Sequence, residues 1–100
     1  MLVITGTFRT ASDASADLEE AMRAMIAASR AEDGCIAYSY ARDVIDPALI
    51  HVHEVWRDRP SLDAHWQSDH LRRWRTDFDR LGITDRDLVL LTPVAPPEPV

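Results

Sequence analysis

Cys35-Ile36-Ala37-Tyr38-Ser39-Tyr40-Ala41-Arg42, a break at Asp46-Pro47, and Leu49-Ile50-His51-Val52-His53-Glu54-Val55-Trp56 form the stretch that decides the fold. In each half the side-chain character alternates, the period at which a strand sends successive side chains to opposite faces. Residues 35–42 place Ile36, Tyr38 and Tyr40 on one face and Cys35, Ala37, Ser39 and Ala41 on the other. Residues 49–56 place Ile50, Val52, Glu54 and Trp56 opposite Leu49, His51, His53 and Val55, so this strand carries polar groups on both faces.

Working outward, Leu2–Arg9 is β-branched and aromatic, with Leu2, Ile4 and Phe8 on one face, and predicts a first strand. From Ser15 the period changes: Leu18, Met22, Met25 and Ile26 form the stripe of an amphipathic helix, with Ser12 or Ser15 as its cap and Gly34 just beyond its end. On the other side, Pro60-Ser61 opens a short helix holding Leu62, His65 and Trp66. Ser68-Asp69 caps a further one in which Leu71, Trp74, Phe78 and Leu81 recur before Gly82. Asp87–Thr92 is a short apolar run that reads as a strand buried on both faces, and Pro93–Val100 as a loose arm.

The order β-α-β-β-α-β predicts an α+β, ferredoxin-like split βαβ fold, a four-stranded antiparallel sheet with helices on one face. The strands offer apolar side chains on both faces, so the second face needs a cover. The same sheet of another copy supplies one, and a homodimer is expected.

One hundred residues make a single domain, 1–100, with 46% hydrophobic and 28% charged residues. A domain of this size hides only somewhat more than about 60% of its unfolded surface, which also favours self-association. The formal charge of -6 repels phosphate backbones and anionic membranes, so neither nucleic acid nor membrane is an expected partner. No apolar run reaches the roughly 18 residues of a membrane span. Met1-Leu2-Val3-Ile4 lacks the positive n-region and cleavage site of a signal peptide, and a cytoplasmic location is expected. The single cysteine, Cys35, excludes an intramolecular disulfide; it has no basic neighbour in sequence and reads as a small buried hydrophobe.

Glu32-Asp33-Gly34-Cys35-Ile36-Ala37-Tyr38, Asp46-Pro47, Glu54-Val55-Trp56, Leu62-Asp63-Ala64-His65 and Ser68-Asp69-His70 together resemble the antibiotic biosynthesis monooxygenase (ABM) family, and within it the small quinol-monooxygenase-like members. The resemblance implies a dimeric α+β barrel with a pocket between sheet and helices in each subunit. It places Tyr38, Tyr40, Glu54 and Trp56 on the pocket face with His65 over them, and Thr7 joins the substrate-binding set. The haem-degrading branch carries an asparagine on the first strand, a tryptophan on the helix after strand three and a histidine iron ligand on the next helix. Thr7, His65 and Arg75 stand at those places here, so haem degradation is not expected. Val52 stands where antibiotic-tailoring members have an asparagine.

The residues themselves leave two readings at each position. Neutral His65, with a reference pKa of about 6.5, suits a general base, or it satisfies a backbone group between helix and sheet. Glu54, acidic among Ile50, Val52 and Trp56, must be paired if buried; it either orients His65 or caps a neighbour. Tyr38, Tyr40 and Trp56 wall an aromatic ligand or simply fill the core. His51 and His53, two apart on one strand face, lack a ligating neighbour at metal spacing. His65 and His70 are five apart with a helix break between them, not the helical i, i+4 pair of a zinc site. No metal site is expected. Arg72, Arg73 and Arg75 around Trp74 read as a solvated face paired with Asp69, Asp77 and Asp79.

No glycine-rich phosphate loop is present, and no cofactor is expected. The function that follows is a cofactor-independent monooxygenase acting on a hydroquinone or polyphenol. The alternative is a non-catalytic dimeric protein that binds or senses a small aromatic molecule.

Overall fold

Alternating segments become strands because a strand is the only backbone that separates Leu2, Ile4 and Phe8 from Val3, Thr5 and Thr7 onto two faces. A computed structural model describes residues 1–11 and 15–100. It contains β1 (Leu2–Arg9), α1 (Ala16–Arg30), β2 (Cys35–Arg42), β3 (Leu49–Trp56), α2 (Arg59–Trp66), α3 (Asp69–Thr76), α4 (Phe78–Leu81) and β4 (Thr84–Leu91). The sheet is antiparallel throughout, in the order β2-β3-β1-β4. This is the α+β, ferredoxin-like fold, with no helix among the described residues long and apolar enough to cross a membrane.

Ser15 caps α1 by accepting from the Leu18 backbone N–H, and Leu18, Met22 and Met25 form its buried stripe. The other predicted cap, Ser12, lies outside the described residues. Asp58 caps α2 and Ser68 caps α3 in the same way, through Ser61 and Leu71. The inner sheet face meets these helices. Phe8, Tyr38, Ile50, Val52 and Trp56 are each no more than 3% exposed, and Leu62, Leu71 and Trp74 close over them.

Four expectations change. The bulge between Cys35 and Ala37 puts one extra residue, Ile36, into β2 and reverses its alternation. Cys35 therefore packs against the core with Tyr38 and Tyr40, while Ile36 is 61% exposed. The last helix does not run unbroken to Leu81: the Asp77 N–H is shared by the Arg73 and Trp74 carbonyls, the tightening that ends a helix, and α4 follows. β4 begins at Thr84 and is not buried on both faces. It is the edge strand beside β1, and Arg86, Leu88 and Leu90 turn toward the helices; Val89 and Leu91 stay about half exposed. Thr7 pairs with His51 on the outer face, away from the helices, because it alternates with Phe8.

Gly34 has a positive φ of 84° and lies against α2, where a Cβ would collide with Ser61. That close approach brings the Glu32-Asp33 turn beside α2.

Candidate active site

Between the inner sheet face and α2–α3 lies a cavity of about 300 Å³. Tyr38 and Tyr40 of β2, Glu54 of β3, His65 of α2, and Trp74 and Arg75 of α3 line it, with Arg86 and Leu88 of β4 at its side. The strand register explains the convergence: Tyr38 lies opposite Glu54, and Tyr40 opposite Val52, so their side chains leave the sheet on one face.

The aromatic walls are built as interlocking pairs. Tyr40 stacks on Trp74 with ring centres 5.7 Å apart, Phe8 meets Tyr40 edge-on at 5.5 Å, and the Tyr38 and Tyr40 hydroxyls share a 2.8 Å hydrogen bond. Burial pushes both phenols well above their usual range, so they stay protonated donors. Trp56 does not line the cavity. It lies beneath it, fully buried, with its ring centre 4.5 Å from that of His65.

His65 is 2% exposed. Its Nδ1–H donates to Glu32 Oε2 across 2.5 Å, and its Nε2 lies on the cavity side, 4.0 Å from Glu54 Oε1. Burial lowers the His65 pKa more than the Glu32 hydrogen bond and charge raise it, which leaves a neutral imidazole with Nε2 free to accept a proton. The orienting carboxylate is thus Glu32 and not Glu54. Glu54 instead accepts the Trp56 indole N–H at 3.0 Å, and burial raises its pKa despite that bond. Four angstroms is too long for a hydrogen bond to His65.

Glu32 carries no signal in sequence beyond its place ahead of Asp33-Gly34, since a carboxylate in a turn is ordinarily solvated. Arg75 and Arg86 line the cavity, and Arg75, exposed as expected, makes no ion pair among the described residues; the pairs on this side are Arg72 with Asp69 and Arg80 with Asp77. Thr7 lies on the opposite face and forms no part of the wall. On that outer face His51 donates to Asp43 at 2.9 Å, and His53 is exposed. Cys35 is half-buried, and burial raises its thiol pKa, so it has no activated character. His70, from the first turn of α3, brings its ring centre to 5.8 Å from that of His65.

The family model described as antibiotic biosynthesis monooxygenase matches residues 1–77. The chain is 30% identical over 73 residues to the uncharacterized protein sll1783 of Synechocystis, spanning 73% of this chain and half the length of that relative. It is 29% identical over 93 residues to the "Putative monooxygenase Rv0793" of Mycobacterium tuberculosis, covering 93% of this chain and 91% of that protein. The solved structure of Rv0793 superposes with a TM-score of 0.81 at 27% identity, over 97% and 98% of the two chains. A Deinococcus radiodurans structure described as a putative antibiotic biosynthesis monooxygenase shares the fold, with a TM-score of 0.89 at 20% identity over 100% and 99% of the chains.

Proposed function

Since the chain belongs to the antibiotic biosynthesis monooxygenase family, we propose that its general monooxygenase role is directed at a small hydroquinone or polyphenol, oxidised by dioxygen without a redox cofactor. The observation that carries this reading is the Glu32–His65 pair. Its protonatable Nε2 faces a cavity walled by Tyr38, Tyr40 and Trp74.

His65 takes a phenolic proton, and the phenolate, far more electron-rich than the phenol, passes electrons to dioxygen. One oxygen atom joins the ring carbon as a carbonyl or hydroxyl oxygen, and the other leaves as water with two hydrogens of the substrate. The substrate therefore supplies all four electrons. The protein's part is to hold the ring, accept the proton and exclude water. Of the hydrogen-bonded Tyr38–Tyr40 pair, held protonated, one hydroxyl hydrogen is spent on the other oxygen and the second is left to donate toward a substrate oxygen, and Arg75 and Arg86 favour the phenolate by charge. A cavity of about 150 Å³ holds benzene, so some 300 Å³ suits one or two fused rings better than three.

The working form is a cytoplasmic homodimer joined through the outer sheet face, where Val89 and Leu91 are 51% and 50% exposed and no helix among the described residues covers them. Oxygen uptake with a panel of one- and two-ring hydroquinones, without added metal or cofactor, tests the reaction. Turnover with one oxygen atom from labelled dioxygen in the product is expected. Saturable binding of the same compounds with no oxygen uptake would replace this reading with that of a binding or sensing protein.

A further inference from the structure

Behind His65, on the side away from the cavity, Glu32, His65 and His70 each bring a ligand atom within 4.8 Å of the others. We propose that these three residues form a binding site for a divalent first-row transition metal ion, Zn²⁺ being the best match. Two imidazoles and one carboxylate are a recurrent ligand set for Zn²⁺ and Fe²⁺, with a further position left for water. Tetrahedral bonds of about 2.0–2.1 Å put neighbouring ligand atoms roughly 3.3 Å apart. His70 Nε2 stands 3.2 Å from Glu32 Oε2, and His65 Nδ1, at 2.5 Å, needs to withdraw by less than about 1 Å when a metal replaces the proton between them.

The orientation of His70 is the second observation. Its Nε2 is buried and makes no hydrogen bond among the described residues, although it stands 3.2 Å from Glu32 Oε2. A buried imidazole nitrogen without a partner is costly. A cation between the three ligand atoms would satisfy it. Glu32 also lines a surface groove with Asp33, Arg57, Asp58 and Ser61, which gives an ion a route from solvent that bypasses the substrate cavity. The cluster escapes sequence spacing because α2 ends at Trp66 and α3 starts at Asp69, and the turn between them folds the two histidines onto one another.

Metal on Nδ1 forces the His65 proton onto Nε2, so the nitrogen that faces the cavity changes from acceptor to donor. In the reaction proposed above, which this consequence alone rests on, the metal-loaded form is inactive. Binding itself is measured without turnover. Zn²⁺ titrated calorimetrically into chelator-treated protein is expected to saturate at one ion per chain. Co²⁺ is expected to give the intense visible bands of a four-coordinate ion, bleached by Zn²⁺. His70→Gln, checked for native circular dichroism, should weaken Zn²⁺ by at least ~100-fold, because losing even an outer-shell partner costs about 10–100-fold. Absence of saturable heat, a Co²⁺ spectrum no different from that of the aqueous ion, or wild-type affinity in His70→Gln would each overturn the site. A protein that binds the ion but consumes no oxygen with any phenol overturns the proposed reaction and leaves the metal site standing.

Discussion

Glu32, in the turn before β2, and His65, on α2, are 33 positions apart in the chain and joined by a 2.5 Å hydrogen bond beneath the cavity. This contact fixes the ring, and it sets which imidazole nitrogen carries the proton. With Nδ1–H committed to the carboxylate, Nε2 is the basic atom.

Replacing His65 with Gln removes the proposed base and keeps a side chain of similar polarity. Turnover on a genuine substrate is expected to fall on the order of 10²-fold or more, the usual scale for a lost general base. Because burial lowers the His65 pKa, the wild-type rate should rise with pH through a midpoint below 6.5, as the imidazole loses its proton, and level off above it. Steady-state rates from pH 4.5 to 8 check this, and an unchanged profile in the variant would remove His65 from the reaction.

Glu32→Gln tests a positioning residue. The carboxylate raises the His65 pKa against the larger effect of burial, so its loss should move the rising limb to still lower pH while lowering kcat on the order of 10-fold. A merely structural role would lower the amount of folded protein and leave the midpoint where it was.

Glu54 separates stability from charge. Glu54→Leu strands the buried Trp56 indole N–H and should cost about 1–3 kcal/mol, measured by urea unfolding. Glu54→Gln keeps an acceptor for that N–H. The folded-state pKa of Glu54 is raised above the ordinary value of 4.5, so the folded protein binds the proton more tightly than the unfolded chain. Its contribution to stability is then fully present below the unfolded value and is lost as pH rises through the folded one. Relative to wild type, Glu54→Gln should therefore gain stability as pH rises through that window.

The outer sheet face gives the test of assembly. Wild-type protein is expected to sediment at twice its 11.3 kDa chain mass. Val89→Glu, a charge beside half-exposed Leu91 on the outer sheet face, should sediment as a monomer. A wild-type monomer at micromolar concentration would remove the dimer.

Alternation and helical spacing are local properties, and they were sufficient to determine the order of elements and the bounds of β1, β2 and β3, whereas the side of the sheet that carries Tyr38, Tyr40, Glu54 and Trp56 was implied by the family resemblance. Where the local pattern is interrupted by one residue, as at the Ile36 bulge, alternation misassigns the face, because the extra residue appears only when β2 is paired with β3. Thr7 shows the limit of alignment: its neighbour Phe8 is buried, so Thr7 must point outward whatever a relative places there. Tertiary structure alone decided that Glu32 rather than Glu54 holds His65, that His70 reaches the same carboxylate, and that Arg75 and Arg86 stand at the cavity. These pairings depend on how the turn at Gly34 docks on α2, and on how the α2–α3 turn folds. A hydrogen bond between residues distant in sequence leaves no period for the sequence to display.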